Sequence, residues 1–116
     1  MQNLRLEITR EPNANEQLAV VRLDGKLSLE TVSQFLQMLR PEVASLLALD
    51  MAGVTFLNSA GVGALVKLFV HRRNGGQKLT LAALPPQSKA VLEVAGLLKL
   101  IPASASAEDA RGVGAS

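Results

Sequence analysis

The run Leu46-Leu47-Ala48-Leu49 carries no polar residue until Asp50 closes it. An apolar run that short, without alternation, fits a central strand covered on both faces. Helical spacing precedes it. Leu29, Val32, Leu36, Leu39 and Val43 recur at three- and four-residue intervals, the stripe of an amphipathic helix. A second helical stretch follows, from about Ala60 to Arg73. Strands joined through helices need crossover connections, and crossovers make parallel pairs. The chain is thereby constrained to an α/β fold.

The remaining segments fill in that frame. Leu4, Leu6 and Ile8 alternate with Arg5, Glu7 and Thr9, the period of a strand with one wet face. Glu11 to Glu16, with Pro12, Asn13 and Asn15 inside it, reads as a turn, and Leu18 to Asp24 as a second, more buried strand. The two are close enough in sequence to form a hairpin. Gly25 follows, and Ser28 is expected to cap the first helix, with Glu30 in its positive first turn and Pro41 ending or bending it. His71, Arg72 and Arg73 suit the negative end of the second helix, which Asn74-Gly75-Gly76 stops.

Lys78 to Ala82 is a further strand, and Pro85-Pro86 opens a third helix. Gly96 is placed to be a left-handed C-cap with Leu97 packing behind it, and Leu100-Ile101 is the expected last edge strand. The order β-β-α-β-α-β-α-β predicts one domain, a mixed sheet of four to five strands with helices packed against it. That domain is expected over residues 1–102. Residues 103–116, around Glu108-Asp109-Ala110-Arg111, read as a flexible or short-helical tail. No internal repeat is visible.

Composition removes several function classes. The 116 residues suffice for a modest core without staples. Aromatics are only 3%, with no Trp or Tyr, so the core is aliphatic and the stacking platform of a single-strand nucleic-acid binder is missing. The pI of 9.4 overstates the charge, because twelve Lys and Arg against ten Asp and Glu leave only +2. No direct nucleic-acid binding is expected. With no cysteine there are no disulfides, thiolate metal sites or cysteine nucleophiles. No segment has the length and apolarity of a signal peptide or a membrane span, so membrane insertion is not expected and a cytoplasmic, soluble protein is.

The search for catalytic chemistry finds little. His71 is the only histidine, which leaves no paired-base or two-histidine metal site. Gly61-Val62-Gly63 resembles the start of a dinucleotide fingerprint, but Val66 stands where its third glycine belongs. No phosphate-binding Gly-Lys-Ser or Gly-Lys-Thr occurs. Asp24 and Asp50 both close strands, where aspartates usually cap loops. Ser59 lacks an activating base, since His71 lies about 18 Å further along the same helix. No catalytic residue, metal or cofactor is expected.

Thr55 to Leu65, TFLNSAGVGAL, therefore draws attention to Ser59 itself. One reading makes Asn58 or Ser59 a helix cap. The other presents Ser59 to a partner, at a helix start where free N–H groups tolerate a phosphate. The small residues Ala60, Gly61, Gly63 and Ala64 likewise fit either close packing on the sheet or a low surface for partner approach, with Val62 as the apolar contact.

The segments LALDMAGVTFLNSAGVGALVKL, LDGKLS upstream and LEVAGLLKLIP downstream resemble the STAS domain of bacterial anti-sigma-factor antagonists, over about Leu4 to Pro102. The resemblance implies a STAS-like mixed sheet and no enzymatic activity. It implies that Ser59 accepts a phosphate from a serine-protein kinase that doubles as an anti-sigma factor. The unphosphorylated antagonist captures that kinase, phosphorylation releases it, and a PP2C-type phosphatase resets it. The partner surface carried over is Gly25, Lys26 and Ser28, with Asn58, Ser59, Ala60, Gly61, Val62 and Gly63. Two positions depart from the pattern: Asn58 replaces the usual Asp, and Ser28 stands where several relatives are acidic. The competing expectation is a STAS module serving as a fixed scaffold or subunit of a lipid or anion transport complex, in which Ser59 is never modified. A third, an enzyme on the same scaffold, lacks residues to support it.

Overall fold

The computed structural model of the chain describes residues 5–109. Five strands form one sheet in the order β1-β2-β3-β4-β5: β1 Glu7–Arg10, β2 Leu18–Leu27, β3 Leu46–Leu57, β4 Lys78–Ala82 and β5 Ala103–Ser104. β1 and β2 pair antiparallel through the expected hairpin, and every later pair is parallel. Helices α1 (Val32–Leu39), α2 (Ser59–Asn74) and α3 (Pro86–Val94) supply the crossovers. Because the parallel strands follow in chain order, right-handed crossovers place all three helices on one face.

Alternation along the central strands then divides the sheet. Val21, Leu23, Leu47, Leu49, Met51, Leu79 and Leu81 join Phe35, Leu36, Leu39, Leu65 and Leu68 in the main core. Val20 and Ala48 point the other way, where Leu18 and Ala107 pack on them. A buried arginine closes one end. Arg72 donates from Nε to the Lys78 carbonyl (2.8 Å), and from its two terminal nitrogens to the carbonyls of Glu42 (3.1 Å) and Ala44 (2.6 Å). Contrary to its expected place at the negative helix end, Arg72 faces inward and braces the α1–β3 loop.

Several expected boundaries move. β3 does not stop at Asp50 but runs to Leu57, bulged against β2 at two places, so its far half reaches Asn58 as a strand. Ser28 does not cap α1. The helix starts at Val32, because Thr31 anchors the turn before it, accepting the Ser28 N–H and lying 2.8 Å from the Lys26 carbonyl oxygen. Leu29 and Val43 therefore leave the buried stripe and are exposed, and Phe35 takes the inward position. Gly96 is left-handed with Leu97 buried behind it, as expected. The last strand is Ala103–Ser104 rather than Leu100-Ile101, since the 3-10 turn Leu97–Lys99 occupies the chain up to Leu100. Residues 107–109 are helical, with Ser106 Oγ accepting the Asp109 N–H. The expectations for Leu4 and for Ala110-Arg111 lie outside the described residues.

Candidate functional site at the start of helix α2

Parallel pairing decides what Ser59 has for neighbours. Leu27 is in register with Leu57, so β2 and β3 end together and the chain leaves the sheet at Ser28 and Asn58 side by side. β2 does not end at Asp24 but runs through Gly25 and Lys26 to Leu27, and this strand end, with Ser28 after it, forms one surface with the loop at Ser59, 31 or more residues away in sequence. Gly25 is required by its backbone: its φ is +120°, and a Cβ there would sit 2.8 Å from the Arg5 carbonyl oxygen. Lys26 is exposed, whereas Ser28 is buried and donates from Oγ to Glu30 Oε2 at 2.7 Å. That bond, helped by a backbone amide, holds the Glu30 carboxyl below the ordinary carboxylate range. A carboxylate therefore stands two residues past Ser28.

Asn58, not Ser59, caps α2. Its Oδ1 accepts the Gly61 N–H at 3.1 Å from an extended backbone. Ser59 is the first helical residue, exposed, and its hydroxyl takes no partner among the described residues. The two glycines after it differ. A Cβ on Gly61 would run into the Leu27 carbonyl oxygen and lie 2.6 Å from Leu57 Cδ1, so Gly61 serves close packing. A Cβ on Gly63 would meet nothing within 4 Å. Packing thus explains Gly61 and leaves Gly63 unexplained. Val62 is half-buried against the core and Ala60 is half-buried.

Three residues outside the expected partner surface lie beside it. β4 ends at Ala82, opposite Asp50, so the last residues of β3 lose their neighbour on that side. Gln87, on the first turn of α3, substitutes for it: its Oε1 accepts the Leu57 N–H (3.0 Å) and its Nε2 donates to the Leu57 carbonyl (2.8 Å). Nothing in the sequence around Pro85-Pro86 signals this bond. Leu29 and Phe56 are 72% and 40% exposed, large apolar side chains on the segments flanking Ser28 and Asn58. Leu29 is exposed although its spacing matches the core stripe, because the helix starts only at Val32. Asp24 and Asp50 are engaged locally, the first with Arg22 at 3.1 Å and the second with the Ala52 N–H at 3.1 Å.

A profile of the STAS domain matches residues 7–110, nearly the whole chain. The chain belongs to the STAS domain family. Solved structures agree at the level of fold. An anti-sigma factor antagonist from Mycobacterium paratuberculosis superposes with a TM-score of 0.83 at 19% identity, covering 96% of this chain and 95% of that one. The unphosphorylated form of the anti-sigma factor antagonist SpoIIAA gives 0.77 at 18% identity, over 95% and 98%. A sulfate transporter family protein from Wolinella succinogenes gives 0.76 at 15% identity, over 90% and 94%. Proteins of both settings thus share this fold. Among the described residues no helix is long and apolar enough to cross a membrane.

Proposed function

We propose that this STAS domain is an anti-sigma-factor antagonist in a partner-switching circuit of the cytoplasm. It binds an anti-sigma-factor serine kinase while Ser59 is unmodified, is released when that kinase phosphorylates Ser59, and is restored by a PP2C-type phosphatase. It catalyses no reaction of its own. The observation that carries the reading is the division of labour at the helix start: Asn58 does the capping, which leaves the Ser59 hydroxyl exposed and uncommitted. A residue needed only as a cap has its oxygen engaged.

The chemistry of the switch follows. A phosphate adds roughly −1.5 to −2 charges. The first amides of α2 have no intrahelical partner and tolerate the dianion in the free protein. Buried inside a partner interface without a cation to meet it, the same group costs several kcal/mol, on the order of a thousandfold in affinity. Leu29, Phe56, Lys26 and the open Gly63 surround it as the contact surface.

A second reading has its own support. STAS domains of transport proteins share the fold, and Asn58 removes the negative charge that most antagonists carry beside the acceptor. In that reading the domain is a fixed scaffold. The two separate in a pull-down from native lysate comparing wild type with Ser59→Glu, with bound proteins identified by mass spectrometry. Capture of an ATP-binding serine kinase by wild type and its loss with Ser59→Glu supports the switch. Capture of the same membrane-transport subunits by both baits makes Ser59 structural and overturns it.

A further inference from the structure

Helix α2 is apolar on two opposite sides. Gly61, Ala64, Leu65 and Leu68 face the core, and Arg72 continues that side. Opposite them, at intervals of four, three and four, stand Ser59, Gly63, Val66 and Val70. A surface helix ordinarily carries charge on that outer side. Here Val66 and Val70 are each 36% exposed, and both are β-branched residues that gain nothing for a solvated helix. They line an open cleft of about 500 Å³ with Lys67, His71 and Arg40, the last contributed by the chain just past α1. His71 Nε2 lies 3.2 Å from the Arg40 carbonyl oxygen, which ties the two walls together. No carboxylate lines the cleft.

We infer that this outer stripe of α2 is a second docking surface, and that its occupant is an acidic amphipathic helix of a partner protein. The inference rests on the antagonist reading, since the stripe begins at Ser59 and extends the same footprint roughly 17 Å down the helix. The chemistry specifies the occupant. Two valines and a bare glycine take apolar side chains spaced one helical turn apart, the helix-in-groove mode of recognition. A rim with the exposed cations Arg40 and Lys67 and a histidine, and no acid, selects carboxylates on either side of those anchors. A bilayer is a poorer match: the surface lacks the long aliphatic or aromatic side chains that enter a membrane interface.

The test uses the isotope-labelled, unphosphorylated full chain. It is titrated, with amide shifts followed by NMR, with a short helical peptide carrying leucines at i and i+4 flanked by glutamates. The same peptide with lysines for glutamates and phosphatidylglycerol vesicles are run beside it. Expected are shifts confined to Gly63, Val66, Lys67, Val70, His71 and Arg40 with the acidic peptide alone, and affinity reduced about tenfold by Val70→Asp. Lys67→Glu is expected to lose the acidic peptide and gain the basic one, a reversal that damage to the fold cannot produce; thermal melts of both variants check the fold. Absence of shifts up to millimolar peptide, equal response to both peptides, or shifts produced by vesicles instead overturns the inference. No kinase and no modification enter this titration, so its outcome is independent of whether Ser59 is a phosphoacceptor.

Discussion

Asn58 and Ser59 sit next to each other with similar polar groups, and only one of them holds the helix. Removing the amide in Asn58→Ala leaves the Gly61 N–H without its partner and should lower stability by about 1 kcal/mol. Ser59→Ala removes an uncommitted hydroxyl and should leave the melting temperature unchanged. Gly61 and Gly63 make a parallel pair. Gly61→Ala forces a methyl into the Leu27 carbonyl and should destabilise. Gly63→Ala meets no atom and should stabilise, by up to about 1 kcal/mol of helix propensity, while weakening partner capture. Thermal melts and the pull-down read these four variants; a stabilised Gly63→Ala that binds normally removes Gly63 from the docking surface. This residue scale was half legible. The pattern NSAGVG pointed to the right helix start and left open whether Asn58 or Ser59 capped it. Which oxygen reaches the amide, and which glycine touches a strand, depend on β2 lying beside β3, a neighbour far away in sequence.

Where β3 stops was the least legible point at the scale of elements, and it matters most for the site. The apolar run ends at Asp50, so the sequence looked like a five-residue strand. The next seven residues keep the extended form because β2 still pairs with them, through two bulges. The far end depends on Gln87, whose amide stands in for the missing strand at Leu57. Gln87→Ala should cost about 1 kcal/mol and speed hydrogen exchange at Leu57 more than elsewhere in β3. Uniform exchange along the strand argues against the clamp. The hairpin is tied down differently. Arg10 Nε donates to Glu42 Oε1 at 2.7 Å, fastening β1 to the α1–β3 loop, and Glu42 also accepts the Val43 and Ala44 amides. The Arg10 hydrogen bond is the chief cause that lowers the Glu42 pKa from its ordinary 4.5, against the opposing effect of burial. A pKa lowered by folding contributes stability that is fully present above the unfolded value. It is lost as pH falls from there through the depressed folded value. Glu42→Gln should therefore flatten the decline of stability below pH 4.5, measured as midpoints of denaturant unfolding across acid pH. An unchanged slope assigns the acid sensitivity elsewhere.

Across the whole molecule, the two sides of α2 have different tasks. All three helices lie on one face because the strands follow in chain order, so that face holds the main core, a consequence already contained in the order of elements read from the sequence. Arg72 was less legible, since an arginine near a helix end ordinarily faces water. Here it is 1% exposed because the carbonyls of Glu42, Ala44 and Lys78 converge where the α1–β3 loop meets β4. Burial lowers its pKa, and the charge of Glu42 opposes that shift. Replacement by methionine keeps the stem and deletes every donor, leaving three carbonyls facing an apolar tip. Arg72→Met should then cost about 3 kcal/mol of global stability. Its side chain lies on the core side of α2, opposite Ser59, Val66 and Val70, so the fraction that remains folded should capture the partner as wild type does. Ser59→Glu should behave oppositely, with a wild-type melting temperature and no capture. Measured together, melts and pull-downs of these two variants place stability on the inner side of α2 and recognition on the outer side that begins at Ser59. A joint loss of both properties in either variant means that the helix transmits strain between its two sides, and that docking at Ser59 depends on the packing of the whole domain.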